Sequence, residues 1–129
     1  ENTIDVSAIN ADAGAAQNDV IQCLDIPAET LIMEAGIEVV TALSSSVTMD
    51  LGITGGDIDR YADGDTNAAG FSAPTATART IVASADTLDI KVLDAASSAG
   101  KIRVFAVLCY VAGIVETDRN TDTQHDTAV

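Results

Sequence analysis

The chain is predicted to be all-β, an antiparallel β-sandwich of jelly-roll-like type, with about eight short strands and extended terminal arms. Three observations predict it. Short segments alternate apolar and polar residues with a period of two, and no stretch carries a helical period. Of the 129 residues 47% are apolar but only 3% aromatic, with no Trp, so the core must be built from Val, Ile, Leu and Ala. A core of such residues suits a thin sandwich. This length accommodates one domain, placed at residues 1–115 and expected to bury roughly two-thirds of the unfolded chain's surface. Residues 116–129 follow as a flexible or partner-ordered arm, because they are rich in Thr, Asn, Gln and acids and lack apolar periodicity.

Taken in order, Ile4 and Val6 alternate with Thr3, Asp5 and Ser7 in a first strand over 3–8, and a turn-rich connection over 10–18 follows. A second strand, 19–26, ends at Pro27, whose ring fixes φ and whose nitrogen cannot donate to a ladder. Leu31 to Ala42 forms a third, with a bulge expected near Gly36. The polar stretch 43–46 turns the chain into Val47–Ile53, where Val47, Met49, Leu51 and Ile53 share a face, so 37–53 reads as a hairpin. Thr54 to Gly70 reads as a long loop rich in Asp and Gly, of the kind a compact domain keeps for binding or contact. Residues 71–78 are a connection and 79–83 a short strand. Leu88, Ile90 and Val92 then point inward from 86–93, against Thr87, Asp89 and Lys91. After a turn at 95–100, Lys101 to Val111 is apolar on both alternating sets. It is expected to be a central strand covered on both faces, with Ile102, Val104, Ala106 and Leu108 at the centre of the sandwich.

Charge and length exclude several partners. Twenty acidic against six basic side chains give a net charge of −14, which repels a polyphosphate backbone, so nucleic acid is not expected. The longest apolar run, Val104 to Val115, has 12 residues and falls short of the roughly 20 needed to cross a bilayer, so no membrane partner is expected. Cys23 and Cys109 lie in strand-like apolar runs without metal-ligand spacing. Free core thiols are the default, and a mutual disulfide between neighbouring central strands stays open. The sequence begins at Glu1 rather than Met, so either the N-terminus is processed or residues precede it.

The sole metal-like cluster is in the long loop: Asp57, Asp59, Asp63 and Asp65, with Asn67 nearby. Hard oxygen donors at alternating positions suit calcium. The spacing is not the twelve-residue EF-hand frame closed by a bidentate Glu, which favours a solvated loop of Asx-turns over a calcium site. No cofactor is otherwise expected. The sole histidine, His125, stands in the polar tail with no partner to orient it; Gly55-Gly56 lacks the Lys of a phosphate loop; carboxylate pairs lack the aromatic platform that sugar hydrolysis uses. The chain is therefore expected not to be an enzyme.

Several segments carry a resemblance: Cys23-Leu24-Asp25-Ile26-Pro27, the strand Gly36 to Ala42, Thr48 to Gly52, Asp57 through Tyr61-Ala62-Asp63-Gly64 to Asn67-Ala68-Ala69-Gly70, Ala85 to Ile90 and Lys101 to Ala106. Together, over roughly Asp19 to Val111, they resemble small β-rich virion structural proteins of aquatic tailed phages, including cyanophages. The resemblance implies a capsid decoration, or cement, protein. Such a protein sits on the outer surface of an icosahedral shell, usually as a homotrimer, and clamps neighbouring major capsid protein subunits. The arm after Ala112 departs from a family chain that ends soon after its last strand. Two other readings stand beside it: a phage tail or fibre structural subunit, and a calcium-dependent carbohydrate-binding module.

Overall fold

Leu88, Ile90 and Val92 are buried while Asp86 is exposed and Thr87 and Lys91 are partly so, the burial that a period of two demands of a strand lying on a core. The computed structural model describes residues 1–9, 13–71 and 79–111, and in them nine strands, all paired antiparallel. They are β1 (Asn2–Asp5), β2 (Val20–Ile26), β3 (Thr30–Thr41), β4 (Thr48–Gly52), β5 (Ala62–Thr66), β6 (Gly70–Phe71), β7 (Thr80–Val82), β8 (Asp86–Leu93) and β9 (Lys101–Tyr110). The expected connections over 10–12 and 72–78, the arm 116–129 and His125 lie outside the described residues.

The pairing is nested. β1 pairs with β9, β2 with β8, β3 with β6 and β7, and β4 with β5, as in a ribbon whose tip is the 53–61 loop. Folding that ribbon brings β9 against β3 and β8 against β4, giving a larger sheet in the order β1-β9-β3-β6, with β7 also on β3, and a smaller one in the order β2-β8-β4-β5. The inner faces meet in a single core. Ala35, Ile37 and Val39 of β3 stand opposite Ala106, Val104 and Ile102 of β9, and these face Met49, Leu51, Leu88, Ile90 and Val92 of the smaller sheet. The two-sheet antiparallel sandwich is thus the expected class, and the expected core residues Ile102 and Val104 are fully buried.

Several local expectations are corrected. Residues 37–53 do not form a hairpin: β3 and β4 belong to different sheets. The reason lies in the connection, where Leu43 is buried, its amide donates to the Asn67 carbonyl at 3.1 Å, and the Ser44 amide donates to the Ala99 carbonyl at 3.2 Å. The segment is pinned across the end of the sandwich and not closed on itself. The register shifts of β3 fall around Met33 and Val40, not at Gly36, which pairs regularly with Phe105. The first strand stops at Asp5, because its carboxylate accepts from the Ser7 amide at 3.1 Å and caps a single 3-10 turn, Val6–Ala8.

Two further corrections bear on function. The stretch 54–70 is not one loop, since β5 and the start of β6 lie inside it. Tyr61, 1% exposed, anchors the tip in the core, and its amide donates to the Leu51 carbonyl at 2.8 Å. β9 is central in its sheet but is not covered along its whole length. Ala106 is half-buried, and Val107, Leu108, Cys109 and Tyr110 are exposed, so both alternating sets at this end stand clear of the facing sheet. Leu108 is therefore not a core residue. Cys109 is an exposed thiol, Cys23 a buried one, and both are free.

Candidate interaction surface

The strands of the larger sheet carry an unusual load of exposed apolar side chains. Of nine large hydrophobic residues exposed among the described ones, seven lie on its strands: Met33, Val40, Phe71, Ile81, Val107, Leu108 and Tyr110. Val111 continues β9, and Val20 alone belongs to the other sheet. Val107 lies on the outward set of β9, whereas Leu108 and Tyr110 fall on the same alternating set as Ile102 and Val104, at the end that the facing sheet leaves uncovered. Scattered exposed hydrophobics are ordinary, but clustering on one sheet marks a candidate interaction surface.

The register explains the cluster. Phe71 of β6 pairs with Glu38, Phe105 of β9 pairs with Gly36, and the missing side chain at Gly36 leaves room on that face between the two aromatic rings. They stack with centroids 5.2 Å apart and planes at 16°, a geometry worth about 0.5–1.5 kcal/mol beyond area burial. Beside them Arg103 reaches Glu38 at 3.0 Å across the same strand pair. Half exposed, that pair contributes only about 0.2–1 kcal/mol, but it neutralises two charges on the face. Further along, Leu31 pairs with both Ile81 and Cys109, so β7, β3 and β9 lay a second apolar row across the sheet. Phe71 and Ile81, at 61% and 62% exposed, are the side chains most available to a partner here, with Tyr110 at 69% on the projecting end of β9.

The four acidic residues fall in two places, Asp57 and Asp59 on the 53–61 tip and Asp63 and Asp65 on β5. Asp57 and Asp59 approach each other. A hydrogen bond between the two carboxyls that favours the protonated form of Asp57, then a little burial and the Asp59 charge, raise the Asp57 carboxyl above its ordinary value, while Arg60, 3.5 Å away, opposes the rise. Arg60 also donates to the Arg79 carbonyl at 3.3 Å, tying the tip to the start of β7. Asp63 and Asp65 stand on β5, Asp65 opposite Met49, and the Gly64 amide between them donates to Asp50 at 3.0 Å. Among the described residues no three His, Cys, Asp or Glu side chains converge on a point that would hold a metal ion.

Residue patterns alone missed most of this surface. Phe71 read as the start of a connection and Leu108 as core, while Val107 read as the covered second face of a central strand. The available signal was the run Val104 to Val111, apolar on both sets: such a run needs two covers, and a partner surface can be one of them.

No protein-family model and no curated protein matches this chain. Its fold is similar to that of a chain in the cyanophage Pam1 capsid asymmetric unit, with a TM-score of 0.62 and 17% sequence identity, over 85% of this chain and 81% of that one. The likeness is one of fold.

Proposed function

We propose that this chain is a phage capsid decoration protein that binds the outer surface of an icosahedral shell and stabilises contacts between major capsid protein subunits. The exposed apolar surface of the larger sheet carries the reading. A small domain with such a surface is built to be seated on protein, and its net charge of −14 suits a subunit that must stay soluble before it docks. The shared fold with a cyanophage Pam1 capsid chain supports it, as does the strand order, which we read as the jelly-roll winding common in viral shell proteins. The functional unit we propose is a homotrimer, and the arm 116–129 and the 53–61 tip extend the contact beyond the face itself. The role is structural and non-enzymatic.

The test compares heat-induced DNA release from particles that carry the protein, lack it, or have had it added back. Release at a lower temperature from the lacking particles only is expected; equal release temperatures in all three would overturn the cement role. Adding back the double variant Ile81→Lys, Val107→Lys should leave shells under-occupied, because each change puts a charge into an apolar contact. Deleting 116–129 should lower occupancy while the isolated chain keeps its cooperative unfolding.

A further inference from the structure

We propose that a cleft on the smaller sheet, beside Asp89, receives a lysine or arginine side chain of a partner protein. The inference concerns the smaller sheet and does not depend on the shell role.

Asp89 points away from the core by the alternation of β8, yet it is only 1% exposed. Its burial has a local cause. Gly52 is its register partner on β4, and a Cβ at Gly52 would overlap the Asp57 carbonyl, so the missing side chain lets the 53–58 loop fold down over this part of the sheet. One carboxylate oxygen, Oδ2, accepts a long hydrogen bond from the Thr54 amide at 3.4 Å. The other, Oδ1, is buried with no hydrogen-bond partner. An orphaned buried carboxylate oxygen is costly and calls for an explanation.

The cleft that Asp89 lines has a volume of about 520 Å³, within the range of pockets that hold small organic groups. Its walls are of two kinds. Ile9, Val20 and Ile21 are apolar, while Asp19, Gln22 and Asp89 are polar. Asp19 also accepts from the Ala16 amide at 2.8 Å. Lys91 lies two residues from Asp89 along β8, opposite Val20 and Asp50, and among the described residues no ion pair joins it to Asp89. A small hard cation wants six or more oxygens, and no group of three candidate ligands is assembled among the described residues. A methylene stem ending in an ammonium or guanidinium matches the lining instead: the stem packs on the apolar wall and the head supplies the donor that Oδ1 lacks. The net charge of −14 draws such a group toward the cleft.

The test follows the amide resonances of the full chain by NMR during titration with n-butylguanidinium chloride, against sodium chloride at equal ionic strength. Saturating shifts at the Thr54 and Gln22 amides with the guanidinium only are expected. Asp89→Asn, which keeps the shape, should weaken binding at least about tenfold, the loss of one charge-assisted contact. Val20→Trp, at an exposed strand position, should block the cleft with the carboxylate intact. Shifts reproduced by sodium chloride, unchanged affinity in a folded Asp89→Asn, or tighter binding of calcium chloride than of the guanidinium at these amides would each overturn the proposal.

Discussion

Cys23 illustrates how one side chain records its surroundings. Burial, chiefly, pushes its thiol up to about 12, the Asp89 charge adds to the rise, and a hydrogen bond involving the Ile90 backbone opposes it. In the unfolded chain the same thiol ionises near its ordinary value of 9.0, so above that pH the folded state retains a proton that the unfolded state has lost. Its contribution to stability is intact below pH 9.0 and falls as pH rises toward 12, by about 1.4 kcal/mol per pH unit. Denaturant titrations across that range should show this limb in the wild type and a shallower one in Cys23→Ala. Thiol labelling gives an independent readout: Cys109 should react in the native protein and Cys23 only on unfolding. A second pair of residues separates core from surface. Ile37→Ala, at 1% exposure, should cost about 2–5 kcal/mol, whereas Leu108→Ala, at 41%, should cost less than about 1 kcal/mol in the isolated chain. Equal losses in chemical denaturation would mean that the projecting end of β9 is packed after all.

Among the elements, the hairpin of β4 and β5 is the most constrained by a single backbone position. β4 ends at Gly52, the tip returns so that Ile53 donates its amide to the Asp57 carbonyl at 3.1 Å, and Tyr61 re-enters the core before β5 begins. A methyl group at Gly52 has to displace backbone, not a flexible side chain, so Gly52→Ala should cost about 1–3 kcal/mol. Hydrogen exchange should localise the damage: the Ile53 and Tyr61 amides lose protection first, while those of β3 and β9 keep theirs. Uniform loss across both sheets would show that the tip is not a separable unit. β9 makes the complementary point, because its first half is clamped between β1 and β3 and its last residues extend past the facing sheet. One strand thereby supplies both core residues and exposed apolar ones.

At the level of the whole molecule, nested pairing joins the beginning of the described chain to its end, with Asn2 opposite Val104. Long-range pairing of this kind makes folding slow relative to helical domains of similar size. Charge works at the same scale. Fourteen net negative charges per chain repel like copies, so self-association through an apolar face should strengthen as salt screens the repulsion. Sedimentation at low and high ionic strength checks this. A trimer that grows with salt is expected, and monomer at every concentration and both salt levels would remove the homotrimer from the proposed function.

The alternation in the sequence determined the class of fold and most inward faces: Leu88, Ile90 and Val92, and Ile102 with Val104, are buried as their spacing requires. It did so because a strand's period is local, set by the backbone of a few residues. What covers each face is not local. The tertiary structure decided that β3 and β4 separate into different sheets, that Leu108 and Val107 remain exposed, and that Asp89, outward by alternation, is buried beneath a loop. Each outcome depends on residues distant in sequence, such as Asn67 and Ala99 holding the 43–44 connection and Asp57 crossing Gly52. Alternation states which side chains share a face, and only the packed chain states whether the core, a loop or solvent meets them.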